Sequence, residues 1–345
     1  MVNETPGKSV NLSPQELGRE DGFALAGTEC MEVCSSVSGR EYRIMLAIPQ
    51  TPPPAAGYPV IYLLDAEMCF GTAVEAVRWQ TKPPKGHDPA VVVGIGYPSR
   101  LDRVRERFLD YTTPADLGNL PVRGNGEPWP PLGGADAFLD FIEQELMPAV
   151  EARFPVDRSR QAFIGHSMGG FLVLHALFTR KPVFRTYVAG SPSIWWNGHA
   201  LLEEESAFRR RLVERADGQE EKAESGERVA ESAEMGEPPE RNESAERTES
   251  PERTEFPEMT ETVGKADPER FLLIAAGGHE GGGDSRMLEN AMEMGARLSA
   301  LEQPSLTVVV KELEGEGHIS VVPALLAKGI RLSLAKTEEE REWNV

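Results

Sequence analysis

The chain has 345 residues, with 36 Lys+Arg against 56 Asp+Glu and a formal net charge of −20. That acid excess argues against a nucleic-acid partner, which needs clustered Lys and Arg to neutralise phosphates, and against docking on an anionic membrane surface. No run of ~18 apolar residues occurs, so no membrane span is expected.

In chain order, residues 1–24 have no basic start followed by an apolar stretch, so they read as an N-terminal tail and not as a secretory leader. Two segments, 27–36 and "REYRIMLAIP" (40–49), have strand character, the second of antiparallel type. The short apolar, β-branched runs at 58–65, 89–97, 160–167, 185–192, 270–277 and 306–315 suit strands buried on both faces of a largely parallel sheet. Helical periodicity falls between them, at 71–80, 134–153, 168–180, 285–302 and 320–335. Alternation of this kind predicts an α/β three-layer sandwich with a mostly parallel sheet over residues 25–335, followed by a C-terminal tail, 336–345. Cys30, Cys34 and Cys69 are too few for a disulfide framework and lack zinc-site spacing. We therefore expect a cytoplasmic protein with no resident metal or other cofactor.

Residues 216–264 break the pattern. They hold 16 Asp+Glu against 5 Lys+Arg, which is −11 of the total charge, and from Glu231 to Glu261 every third residue is Glu. A period of three gives neither a helix nor a strand an apolar face. Too little apolar surface is present to offset the entropy of ordering. The segment is expected to be a disordered insert, with an acidic partner-binding role as the alternative. The remaining residues are only mildly acidic, so the total charge is no argument against an anionic ligand.

"GHSMGG" (165–170) fits G-x-S-x-G between a predicted strand and a predicted helix. The turn needs Gly165 and Gly169 so that neighbouring backbone can approach without a Cβ clash while Ser167 presents its hydroxyl, and the backbone N–H of Met168 then lies at a helix N-terminus, suited to an oxyanion. A serine nucleophile needs a base. His318, in "EGEGHISV" after the last predicted strand, has the right position in the chain. His87, His175, His199 and His279 are less well placed, and His166 adjoins the nucleophile with its ring directed elsewhere, toward a pocket. The supporting acid belongs after the penultimate strand, where "GGHEGGGDSR" offers Glu280 or Asp284. Glu280 is nearer the strand end, and Asp284 has a competing reading as a helix N-cap. The turn after strand 58–65 places Ala66 to supply a second oxyanion N–H.

Taken together, "YPVIYLLDAEMCFGTAVEAVR", "RERFLDYTTP", "RQAFIGHSMGGFLVLHALF", "YVAGSPSIWWN" and "FLLIAAGGHE" resemble the siderophore esterase branch of the α/β-hydrolase superfamily, the enzymes that open ferric enterobactin-type trilactones. The likeness spans most of residues 25–335 apart from the insert. It implies Ser167 as nucleophile, His318 as base and Glu280 as acid, acting on a small-molecule ester. The usual Leu-Asp-Gly after the third strand is Leu-Asp-Ala here, at Ala66. Arg78 resembles a substrate-facing position that would suit a ferric tris-catecholate or hydroxamate. Of the adjacent indoles Trp195 and Trp196, at least one is expected to line the pocket. Arg107 and Asp110 read as a structural loop lock. A feruloyl, acetyl or S-formylglutathione-type esterase is the alternative on this scaffold. An intact Ser167/His318 pair argues against a third class, a scaffolding protein acting through its insert.

Overall fold

The computed structural model describes residues 25–336 except 85, 100–101, 124–125, 215–268 and 284. The tails at 1–24 and 337–345, the acidic insert at 216–264 and the alternative acid Asp284 lie outside the described residues. The strands are β1 (Thr28–Cys34), β2 (Glu41–Ala47), β3 (Tyr58–Leu63), β4 (Val91–Gly96), β5 (Val156–His166), β6 (Thr186–Gly190), β7 (Arg270–Gly277) and β8 (Leu306–Leu313). They form one eight-stranded sheet in the order β1-β2-β4-β3-β5-β6-β7-β8. β1 and β4 each pair antiparallel with β2, and every other pairing is parallel. Every residue of β3, β4, β6 and β7 is buried, as their uninterrupted apolar runs require.

The helices are α1 (Ala66–Gln80), α2 (Arg103–Tyr111), α3 (135–153), α4 (Met168–Thr179), α5 (201–214), α6 (Met287–Ser299) and α7 (Val321–Leu334). Two hydrophobic cores lie on opposite faces of the sheet, and β3 feeds both: Tyr58, Val60 and Tyr62 enter one, Ile61 and Leu63 the other. α1 and α7 cover the second face, through residues such as Phe70, Val74, Leu325 and Ile330. α3, α4, α5 and α6 cover the first. α4 is buried from Met168 to Phe178, because it packs beneath other helices as well as on the sheet.

The periodicity reading omits α2 and α5, and it starts α1 at residue 71 where the helix begins at Ala66. That early start matters for the site, since it puts the first turn of α1 directly after β3. No helix among the described residues is long and apolar enough to cross a membrane. The parallel strands β3, β5, β6, β7 and β8 all end at one edge of the sheet, and the turns that follow them converge there.

Candidate active site

Ser167 occupies the turn between β5 and α4 with φ 60 and ψ −117, a conformation that costs an L-residue about 1–3 kcal/mol unless its surroundings impose it. Here they do. The Ser167 N–H donates to the Gly190 carbonyl at 2.8 Å, and its own carbonyl accepts from the Ser193 and Phe171 N–H groups at 3.1 and 3.0 Å. A Cβ on Gly165 would sit 2.4 Å from the Gly169 carbonyl oxygen, and one on Gly170 2.7 Å from that of Gly190. Both glycines are therefore required for the turn to close, whereas Gly169, expected to be needed for the same reason, is not: a Cβ there would come no nearer than 3.4 Å to Leu64.

The Ser167 hydroxyl lies 3.1 Å from Nε2 of His318, and Nδ1 of the same ring lies 2.8 Å from a Glu280 carboxylate oxygen. The other Glu280 oxygen accepts from the Ser191 hydroxyl at 2.6 Å and from the Gly277 N–H at 2.8 Å. Burial pulls the Glu280 carboxyl upward, but the hydrogen bonds from His318, Ser191 and Gly277 outweigh it and leave it below the usual carboxylate range. The Glu280 side chain is 3% exposed and that of His318 40%, so a screened anion supports a ring that solvent and substrate can reach. A carboxylate on Nδ1 keeps the proton there and leaves Nε2 free to accept from the serine.

Met168 is the first residue of α4 and Ala66 the first of α1, positions whose N–H groups have no partner within their helices. The two turns are neighbours because β3 and β5 pair in parallel, and the Leu64 N–H donates to the Ile164 carbonyl at 3.0 Å. The left-handed residue of the β3 turn is Asp65, φ 53, so Ala at 66 meets no backbone conflict. Arg107 of α2 binds both Asp65 carboxylate oxygens, at 2.6 and 3.0 Å, and the His166 carbonyl at 3.0 Å, which ties these turns together. Asp110 is bound by Arg40 and the Tyr97 hydroxyl at 3.0 and 3.1 Å, away from any ligand-facing role.

An open cleft of about 390 Å³ lies over Ser167 and His318, walled by Trp195, His279, Ser193 and Met287. Three of the expected substrate contacts are not on it. Trp196 is 0% exposed and packs edge-on to Trp129, ring centroids 5.1 Å apart, so only Trp195 of the pair faces the cleft. His166 backs onto His318, with ring centroids 4.6 Å apart. Burial and the neighbouring His318 ring push its pKa down to about 4. Arg78 sits twelve residues along α1, about 18 Å from its first turn. It pairs there with Glu75 and the Ala26 carbonyl. That end of α1 lines a larger cavity of about 430 Å³, to which none of Ser167, His318 and Glu280 contributes and which lies away from the strand ends that carry them. Helix pitch explains the difference: a shared helix does not mean a shared end.

Sequence reasoning passed over Ser191 and Ser193, and weighed His279 only as a base. The only signal was their place, since each follows a predicted strand end in "AGSPS" or "AAGGHE".

A family model described as "Putative esterase" matches residues 35–265. The ferri-bacillibactin esterase BesA of Bacillus subtilis is 36% identical over 319 residues, covering 92% of this chain and 93% of that protein. The siderophore triacetylfusarinine C esterase of Aspergillus fumigatus is 45% identical over 153 residues, 44% of this chain and 49% of the relative. Among solved structures, the BES protein from Bacillus cereus superposes with a TM-score of 0.69 at 30% identity, over 92% of this chain and 100% of its own.

Proposed function

The chain belongs to the esterase family, and from that premise we propose that it is a serine carboxyl-ester hydrolase that opens the backbone esters of a ferric siderophore and so frees the iron. The end-to-end likeness to a ferri-bacillibactin esterase carries the substrate reading. The iron arrives with the substrate and is not a resident cofactor. The exposed, unpaired Cys30 and Cys34 suit a reducing compartment, which supports hydrolysis in the cytoplasm after uptake.

In this reading Ser167 attacks the ester carbonyl as His318 Nε2 takes its proton. The N–H groups of Met168 and Ala66 stabilise the oxyanion that forms. Glu280 holds the imidazole in the productive tautomer and offsets the charge it acquires. The alcohol leaves with the proton from His318, and water then releases the acyl group by the same route in reverse. Trp195 offers a flat face for stacking on an aromatic ligand ring, and His279 a donor for its oxygens.

The test is to incubate the protein with ferric trilactone siderophores and with a panel of simple acyl esters, including feruloyl and acetyl esters, and to read the products by mass spectrometry. Linearised siderophore is the expected product. Turnover of the simple esters alone would refute the siderophore assignment.

A further inference from the structure

Among the described residues, Ser193 is the one cleft-wall hydroxyl within 3.5 Å of that of Ser167 that the relay leaves unused. Its oxygen lies 3.5 Å from that of Ser167, and the residue is 2% exposed. Backbone contacts on both sides fix its position. The Ser193 N–H is given to the Ser167 carbonyl at 3.1 Å, its carbonyl accepts from the Trp196 N–H at 3.1 Å, and the Ser191 N–H reaches Ala275 at 2.6 Å. Two hydroxyls bonded to each other settle at roughly 2.7–2.8 Å. At 3.5 Å the pair is loose, and an oxygen attached to the carbon that Ser167 attacks could come within reach of Ser193.

The sheet order says which oxygen that is. The N–H groups suited to the oxyanion come from Met168 and from Ala66, the latter beyond β3 on one side of β5. Ser193 follows β6, on the other side of β5, the same side as Glu280 after β7 and His318 after β8. It therefore faces the part of a tetrahedral intermediate where His318 delivers its proton, which is the alkoxy oxygen.

We propose that Ser193 is a further catalytic residue, whose hydroxyl donates a hydrogen bond to the alkoxy oxygen of the ester as the bond from that oxygen to the acyl carbon breaks. In that step the electron pair of the breaking bond passes to the alkoxy oxygen. The proton that His318 took from Ser167 moves to the same oxygen, and an alcohol departs from a Ser167 acyl ester. Ser193 keeps its own proton throughout. The help is worth most when the departing alkoxide is strongly basic, as an aliphatic alcohol is, and little when the leaving group is an acidic phenol. The inference rests on the esterase reading and not on the siderophore assignment.

The test compares the full chain with Ser193→Ala on two esters of one acyl group, ethyl butyrate and p-nitrophenyl butyrate, through kcat/KM, which reports steps only as far as acylation. Loss of about one neutral hydrogen bond corresponds to roughly tenfold. We expect a fall of about that size for the ethyl ester and less than about twofold for the nitrophenyl ester. The ratio of the two losses does not depend on how much of the variant is folded, because both are measured on one preparation. Equal losses on both esters, or none on either, would overturn the proposal. A wild-type protein that cleaves both butyrates and no siderophore would defeat the substrate reading and leave this one intact.

Discussion

Arg107 grips Asp65 with two hydrogen bonds, at 2.6 and 3.0 Å, and uses the same guanidinium to hold the carbonyl of His166, the residue before Ser167. One side chain of α2 thus joins the turn that offers the Ala66 N–H to the turn that presents Ser167. Burial opposes the Arg107 charge, but the adjacent Asp65 carboxylate more than compensates and keeps the guanidinium protonated. Removing it would strand a buried carboxylate. Arg107→Ala is expected to lose about 3–5 kcal/mol of unfolding free energy by urea denaturation. Arg107→Lys should recover only part of that, since an ammonium cannot bind both oxygens in a fork. A stability within about 0.5 kcal/mol of wild type for the alanine variant would contradict this account.

Glu280 is expected to contribute to the reaction and not to the fold. Glu280→Gln should lower kcat by about 10²–10⁴-fold with KM little changed, because an amide cannot support the charged imidazole. Ser191→Ala, which removes one donor from the same carboxylate, should cost about tenfold in kcat. Steady-state kinetics on a single ester reads both.

Acid sensitivity should trace in part to His166. Its pKa is pushed down to about 4 by burial and by His318, below the roughly 6.5 of an unfolded histidine. Between those values the unfolded chain binds a proton that the folded one refuses, so stability falls as pH drops from about 6.5 to about 4. The contribution reaches about 3 kcal/mol across that window. His166→Asn removes the group, so the stability gap between wild type and variant should narrow steadily on acidification. Parallel pH profiles of chemical denaturation would show the assignment to be wrong.

The two adjacent indoles should separate cleanly. Trp196→Ala empties a fully buried site and is expected to cost about 3–5 kcal/mol of stability. Trp195→Ala should leave the melting temperature close to wild type and raise KM about tenfold for a catecholate siderophore, with little effect on a small acyl ester. Thermal melts and kinetics on both substrates decide it.

How much of this was legible in the sequence depended on how strongly each segment's surroundings constrained it. The strands stood out because a fully buried parallel strand tolerates almost nothing but apolar residues, as β4 with "VVVGIG" illustrates. Ser167 could be located because Gly165 and Gly169 complete G-x-S-x-G around it, although packing demands glycine only at the first of that pair and at Gly170, which the motif does not include. α2 was hidden, since of "RVRERFLDY" only Asp110 and Tyr111 are buried, and Glu106, Arg107 and Asp110 turn to ion pairs instead of forming a water-facing stripe. α5 was hidden by one residue. Its buried positions Leu201, Glu205, Phe208 and Leu212 keep helical spacing, but a carboxylate stands among them, held by Arg297 at 2.6 Å. Arg78 and Trp196 failed as cleft residues for a shared reason: a linear pattern says which element a residue belongs to, while distance along the axis and the choice between neighbouring faces come only with packing.

The crossover from β6 to β7 leaves the cleft edge of the sheet, descends through α5 and re-enters at Arg270, the opposite end of β7. Near the lower end of α5, Arg211 donates to the carbonyl of Phe178, itself at the far end of α4 from Ser167. Glu214 and Glu269, the described residues at either end of that crossover, therefore lie at the edge remote from Ser167, His318 and Glu280. Those two anchor points, Glu214 and Glu269, and the turns that carry Ser167, Glu280 and His318 thus stand at opposite ends of the strands, so a change of charge at either anchor acts on the site only across the length of the sheet.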